Sequence, residues 1–302
     1  MNQLAEQWFE QQEWLPYAFQ QDTWKQISKG KSGLLNAPTG FGKTMAVWFG
    51  VLEHYYLKVE PKLTDKRKKR KLHCLWITPL RALSREIHGA TNTVSYDLGI
   101  DYDIGLRTGD TPDSARKKQK TTPPHALITT PESVHLLLAS KGYTEYFEGL
   151  SIIVIDEWHE LMGSKRGVLV ELALSRLKAL NPKLMVWGIS ATIGNLKQAK
   201  EILLGTHNKG VLVRAELDKR IEIHTILPDT LEKFPWAGHM GLKLAEKVLP
   251  LIHNGNSTLL FTNTRAQAEI WYHHLLHLSP DLAGVMAIHH GSLSQELRNW
   301  VE

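Results

Sequence analysis

GLLNAPTGFGKTMAVWFG, residues 33–50 of a 302-residue chain, has three parts with different physics. Gly33-Leu34-Leu35-Asn36 is a short apolar run that reads as the end of a strand. Ala37-Pro38-Thr39-Gly40-Phe41-Gly42-Lys43-Thr44 is a loop of mostly small residues ending in Gly-Lys-Thr. Residues 45–52 are almost uniformly apolar and read as a buried helix. Strand, glycine loop and helix in that order are the context in which a P-loop pattern predicts a phosphate site. Polyphosphate needs many donors close to the backbone. Gly40 and Gly42 lack a Cβ, so the loop can curl with its N–H groups pointing inward. The following helix turns its positive end toward the anion. Lys43 adds a full charge for the β- and γ-phosphates, and the Thr44 hydroxyl is a candidate Mg²⁺ ligand. Ala37 stands where the pattern has its first glycine. The companions of the loop must decide the matter.

Composition sets the bounds. The chain is long enough for two domains, and 42% hydrophobic with 22% charged residues are globular values. It has no run of 18 apolar residues, and its N-terminus is polar with no secretory core region, so a cytosolic protein without a membrane span is expected. One cysteine, Cys74, excludes an internal disulfide or a cysteine zinc cluster. Lysine and arginine total 36 against 31 acids, a weak preference for anionic partners. Much of that excess lies in KLTDKRKKRK, residues 62–71, which reads either as a solvated loop or as a phosphate-backbone contact.

Residues 4–14 read as a short helix, and a second runs to about residue 29. Gln20 opens the latter; its amide carries a donor and an acceptor together, which suits the edge of adenine. Strands are expected at 72–78, 102–106, 126–129, 151–155 and 184–189. Three of them lead into loops rich in hydroxyls or arginine: Thr78-Pro79-Leu80-Arg81, Arg107-Thr108-Gly109-Asp110-Thr111 and Thr129-Thr130-Pro131-Glu132-Ser133. Each suits a helix cap or a grip on a nucleic-acid backbone. The 151–155 strand ends in Asp156-Glu157-Trp158-His159. Two acids at the carboxyl end of an apolar strand are costly without partners or a task. With a phosphate loop upstream, Asp156 is expected to hold Mg²⁺ through water, and Glu157 to deprotonate the water that attacks the γ-phosphate. His159 is a candidate link to a neighbouring segment. Ser190 and Thr192, at the end of the 184–189 strand, are candidates for relaying nucleotide state.

The pattern restarts after Arg214, with strands expected at 221–224, 257–262 and 284–288 and helices at 240–253 and 265–277. Thr264, Arg265, His290 and Gly291 sit in the loops of this second part. His273, His274 and His277 share a helix, a packed or solvated face rather than a metal site.

In this order the segments resemble a superfamily 2 DEXH-box helicase. Gln20 matches the upstream glutamine motif, residues 37–44 motif I, 78–83 motif Ia, 156–159 motif II and 190–192 motif III. More narrowly, PYAFQQDTW, APTGFGKT, RTGDT, ITTPES, DEWHEL, SATIGN, PWAGH, FTNTRAQAE and HHGSLS are similar to the bacterial ligase-associated DEXH helicases of the large helicase-related family. Phe41, where motif I usually has Ser, is a small departure at a variable position, expected to leave the chemistry unharmed.

The resemblance implies an α/β fold: a RecA-like, parallel-sheet P-loop domain over residues 1–214, then a partial second RecA-like domain over 215–302. It implies ATP and Mg²⁺ as cofactors, with residues 37–44 and Gln20 around the nucleotide. Pro79, Arg81, Thr108, Gly109, Thr130, Thr264, Arg265, His290 and Gly291 would contact a strand. It also implies a 3′→5′ DNA helicase or translocase in repair, acting on single-stranded or partly duplex DNA beside a repair ligase and a nuclease. RNA, or a fragment that binds without turning over, are the alternatives. Members of the family continue past residue 302 with further motifs, one carrying an arginine that reaches the γ-phosphate. On that basis the 302 residues alone are expected to bind ATP but to hydrolyse it poorly and unwind nothing.

Overall fold

A computed structural model describes residues 2–62, 71–206, 209–216, 222–228 and 240–301. The basic run at 63–70 and the PWAGH segment lie outside them. Two compact units divide the chain, Met1–Asp218 and Lys219–Glu302.

The first unit is built on seven strands: β1 Gly33–Asn36, β2 Cys74–Ile77, β3 Ile104–Arg107, β4 Ala126–Thr129, β5 Ile152–Ile155, β6 Met185–Ser190 and β7 Val211–Arg214. They pair in the order β3-β4-β2-β5-β6-β1-β7, and every pairing is parallel. Parallel neighbours need crossovers, and the intervening helices supply them on both faces. The strands read as continuous apolar runs because both faces are covered. Their alternate residues nevertheless part cleanly. Leu35, Trp76, Ile128, Val154 and Trp187 enter one core with the helices Gln3–Gln11, Ala18–Ser28 and Lys43–His54. Leu34, Leu75, Leu127, Ile153 and Val186 enter the other with Pro131–Leu138 and Lys165–Leu180. Trp48, Trp76 and Trp187 are fully buried in the first core.

Differences from expectation are local. The first helix ends at Gln11, and β7 adds an edge strand alongside β1. Between β3 and β4 lies a polar helix, Asp113–Thr121, with no buried residue and lysines in its last turn where the helix dipole favours them.

In the second unit, the 240–253 helix begins as a 3-10 turn, Met240–Leu244, and continues as Ala245–Asn254; Arg265–Leu278 is helical as expected. The strands expected at 257–262 and 284–288 do not form, and residues 222–224 are irregular, with 221 outside the described residues. Leu259 and Phe261 are more than four-fifths exposed. A strand is held by ladder bonds to a neighbour, and the described residues of this unit contain no strand to pair with. Its small core gathers Ala245, Leu275 and Leu282.

Candidate functional site

The strand order places β5, β6 and β1 side by side, so the loops at their carboxyl ends share one edge of the sheet. After β1 the chain passes through Gly40 at φ 89° and Gly42 at φ 74°, left-handed values that favour glycine. A Cβ on Gly42 would also lie 2.7 Å from the Gln20 amide nitrogen. Ala37 is buried and its N–H bonds the Ser190 carbonyl at 3.1 Å, while Thr39 and Gly40 are exposed. Lys43 opens the helix Lys43–His54; its side chain is buried, and Nζ has no hydrogen-bond partner. Burial lowers its pKa, while Glu157 and Asp156 pull it back up. Thr44 stands half-buried in the same first turn, and Pro38 is half-buried ahead of the glycines.

Gln20 is buried and its amide is already engaged. Its oxygen accepts from the Tyr17 N–H at 2.8 Å, and its nitrogen donates to the Gly42 carbonyl at 3.1 Å. One N–H and one lone pair remain for another partner. Phe41 is not an idle loop position: its ring meets Tyr17 edge-on at 5.8 Å, and Tyr17 stacks on Phe19.

The acids arrive from β5. Asp156 Oδ1 accepts from the Glu157 N–H at 2.9 Å, and the Trp76 indole N–H faces Oδ2 at 3.4 Å. Glu157 sits at φ 45°, a strained conformation for a residue with a side chain, costing about 1–3 kcal/mol. Its Oε2 is buried without a hydrogen bond and lies 3.4 Å from His159 Nδ1. That same Nδ1 is 3.0 Å from Ser190 Oγ, so His159 ties the end of β5 to the end of β6. Thr192 lies exposed beyond this bridge. Asn36 adds a second tie, donating to the Ala191 carbonyl at 3.0 Å; no sequence pattern pointed to it.

Burial, then repulsion from Glu157, push the Asp156 carboxyl up to about 6, against the opposing pull of the Glu157 N–H, Trp76 and Lys43. An unfolded chain loses this proton near 3.8, so the folded state holds more protons between those values. The contribution of Asp156 to stability therefore declines as pH rises from about 4 to about 6 and is constant above. Asp156→Asn is expected to flatten that slope in the nucleotide-free protein and to raise its melting temperature at pH 7. Denaturation from pH 4 to 7 checks it; an unchanged slope refutes it.

These residues fit a nucleotide and its metal. A buried ammonium without a partner matches a phosphate, the two left-handed glycines leave the loop open to one, and Asp156 with the Thr44 hydroxyl is an oxygen donor set of the kind Mg²⁺ takes.

The other half of the edge belongs to β2, β4 and β3. Arg81, at the start of the helix Arg81–Asp97, pairs with Asp110 at 2.7 Å. Thr108 is buried, its N–H bonding Thr111 Oγ1 at 2.9 Å. Arg116 donates to the carbonyls of Thr108 and Gly109 at 3.1 and 2.8 Å. Thr130 is buried and bonds Ser133 at 3.2 Å, and the Pro79 carbonyl accepts from Arg166 at 2.9 Å. The three predicted loops thus lie on adjacent strands, and Arg81 joins the first to the second. Arg116 and Arg166 were not legible as site residues.

Within the second unit, Thr264 caps the helix Arg265–Leu278 by accepting from the Gln267 N–H. Arg265 bonds Ser292, and its guanidinium lies 3.5 Å from where a Cβ on Gly291 would stand. His290 Nε2 faces Glu269 at 3.3 Å. Arg265 and Ser292, 27 residues apart in sequence, therefore meet. Among the described residues, no three His, Cys, Asp or Glu side chains cluster to hold a metal, and no helix is long and apolar enough to cross a membrane.

A family model described as DEAD/DEAH box helicase matches residues 17–201, more than half of the chain. The chain belongs to that family. Its first unit is thus a DEAD/DEAH box helicase domain, and the glycine loop and the acid pair both lie within the matched residues. Among curated relatives, the ATP-dependent helicase Lhr-Core protein 2 of Thermococcus barophilus is 33% identical over 296 residues, 92% of this chain and 33% of that protein. The Lhr helicase/uracil glycosylase of Escherichia coli is 30% identical over 281 residues, 84% of this chain and 18% of that protein. The helicase chain therefore spans about a third, or less, of the length of these relatives. The structure of Mycobacterium smegmatis helicase Lhr bound to ssDNA and AMP-PNP superposes with a TM-score of 0.75 at 28% identity, over 99% of this chain and 39% of that one.

Proposed function

We propose that this helicase chain is part of an ATP-driven motor that moves 3′→5′ along single-stranded DNA and opens duplex ahead of it in DNA repair. The buried Lys43 ammonium, which lacks a hydrogen-bond partner, carries the reading, because its burial is costly and a phosphate would satisfy it. Residues 37–44 bind the phosphates and Gln20 orients the base. Glu157 takes the proton from the attacking water. Asp156 and Thr44 would hold Mg²⁺, which would supply charge neutralisation at the phosphates. His159 and Ser190 carry the nucleotide state from the end of β5 to the end of β6, with Thr192 next to them.

Pro79, Arg81, Thr108, Gly109 and Thr130 grip the strand backbone from the β2, β3 and β4 loops. Thr264, Arg265, His290 and Gly291 do so from residues 215–302, the first part of a second RecA-like domain. The Mycobacterium relative, solved with ssDNA and AMP-PNP, supports DNA over RNA. A repair ligase and a nuclease are the partners, in the cytoplasm. The test is binding of AMP-PNP with Mg²⁺, then of oligo-dT against oligo-U, followed by ATP turnover with each. Preference for oligo-dT is expected. Equal or stronger response to oligo-U overturns the DNA assignment, and no nucleotide binding overturns the reading as a whole.

A further inference from the structure

The acidic turn does not end in a free loop. The short helix Trp158–Leu161 follows Glu157 directly, and after three intervening residues the helix Lys165–Leu180 begins. The junction is tight. Ser164 caps the second helix by accepting from the Gly167 N–H at 3.1 Å, and donates to the Leu161 carbonyl at 2.7 Å. A Cβ on Gly167 would stand 2.0 Å from that same carbonyl oxygen, so only glycine permits the approach. This capped junction links the strained Glu157 to Arg166.

Arg166 spans the two strand-gripping loops. Its Nε donates to Glu132 Oε1 at 2.6 Å, in the loop-to-helix turn after β4. One terminal nitrogen donates to the Pro79 carbonyl at 2.9 Å, in the loop after β2. The planar guanidinium holds both partners in a fixed fork, a geometry that a lysine ammonium does not impose. From Pro79 the chain runs within two residues to Arg81 and its pairing with Asp110, which brings in the loop after β3. Burial raises the Glu132 carboxyl, but its own N–H, the Thr130 hydroxyl and Arg166 together bring it below its ordinary value.

We propose that Arg166 is a positioning residue through which the acidic turn of the nucleotide site sets the spacing of the strand-gripping loops. This rests on the nucleotide and strand reading above and adds the connection between its two halves. By linkage, nucleotide and strand must then raise each other's affinity by one common factor.

The experiment measures binding of fluorescent oligo-dT to the protein with and without AMP-PNP and Mg²⁺, and the reciprocal binding of AMP-PNP. A coupling factor on the order of 10 is expected for the unmodified protein. In Arg166→Ala it falls to about 1–2, with AMP-PNP affinity in the absence of DNA unchanged. In Arg166→Lys it is intermediate, roughly threefold, because the ammonium keeps Glu132 and loses the carbonyl fork. Full coupling in Arg166→Ala overturns the inference alone. Equal loss in the alanine and lysine variants, together with loss of AMP-PNP binding, also overturns it and marks a merely structural role. An unmodified protein that binds no nucleotide or no strand overturns the functional reading and the inference together.

Discussion

Glu157→Gln leaves nucleotide binding intact and slows ATP hydrolysis by about 10²- to 10⁴-fold. The amide keeps the volume and shape of the carboxylate, so the turn at φ 45° and the contact with His159 survive. What is lost is the basic oxygen. Glu157 Oε2 is buried and accepts no hydrogen bond, so it is free to accept one from the attacking water. A loss of this size corresponds to about 3–5 kcal/mol of transition-state stabilisation, far beyond what a change in fold stability at one turn would produce. Single-turnover hydrolysis together with equilibrium binding of AMP-PNP separates chemistry from affinity. Equal turnover in the two proteins, with binding unchanged, rules Glu157 out as the base.

The second large effect has two signs. Lys43→Met stabilises the nucleotide-free protein and weakens its response to ATP. The ammonium is buried and unpaired, and burial lowers its pKa by more than Glu157 and Asp156 restore it, so the charged form is disfavoured in the folded state. Replacing it by a thioether of similar length removes that cost while keeping the packing. The loss of charge-assisted bonds to phosphate, about 1.5–3 kcal/mol, lowers ATP affinity by roughly 10- to 150-fold. In thermal melts the unmodified protein is expected to rise with Mg-ATP, by about 2.7 kcal/mol of stability at a hundred times the dissociation constant. The variant starts higher and rises by only about 0.3–1.4 kcal/mol at the same ligand concentration. A variant that melts lower without nucleotide, or rises as much as the unmodified protein, contradicts the assignment.

How far the site was legible depended on whether its residues are close in sequence. Glycine positions and the lysine of the phosphate loop follow from local conformation, and the observed φ values at Gly40 and Gly42 agree with the pattern. An acid pair at the end of an apolar strand is likewise a local statement. Gln20 was legible as a polar residue at a helix start, but not its bond to the Gly42 carbonyl across 22 residues. Arg166 belongs to no spacing pattern; only the packing of Lys165–Leu180 against the β2 and β4 loops reveals it. The three strands expected in the second unit show the reverse failure. Their apolar runs have the right composition, but a strand exists only with a partner, and composition cannot supply one.

Local chemistry in the chain determined the phosphate loop, the acid pair, the apolar strands and hence the helicase family, because each depends on neighbours within a few residues. The strand order β3-β4-β2-β5-β6-β1-β7 was decided only in three dimensions. Crossover connections, not adjacency in sequence, choose which strands lie together. That order gathers Lys43, Asp156, Glu157, His159 and Ser190 on one half of the sheet edge and the loops after β2, β4 and β3 on the other. Arg166, nine residues after Glu157, bonds two of those loops.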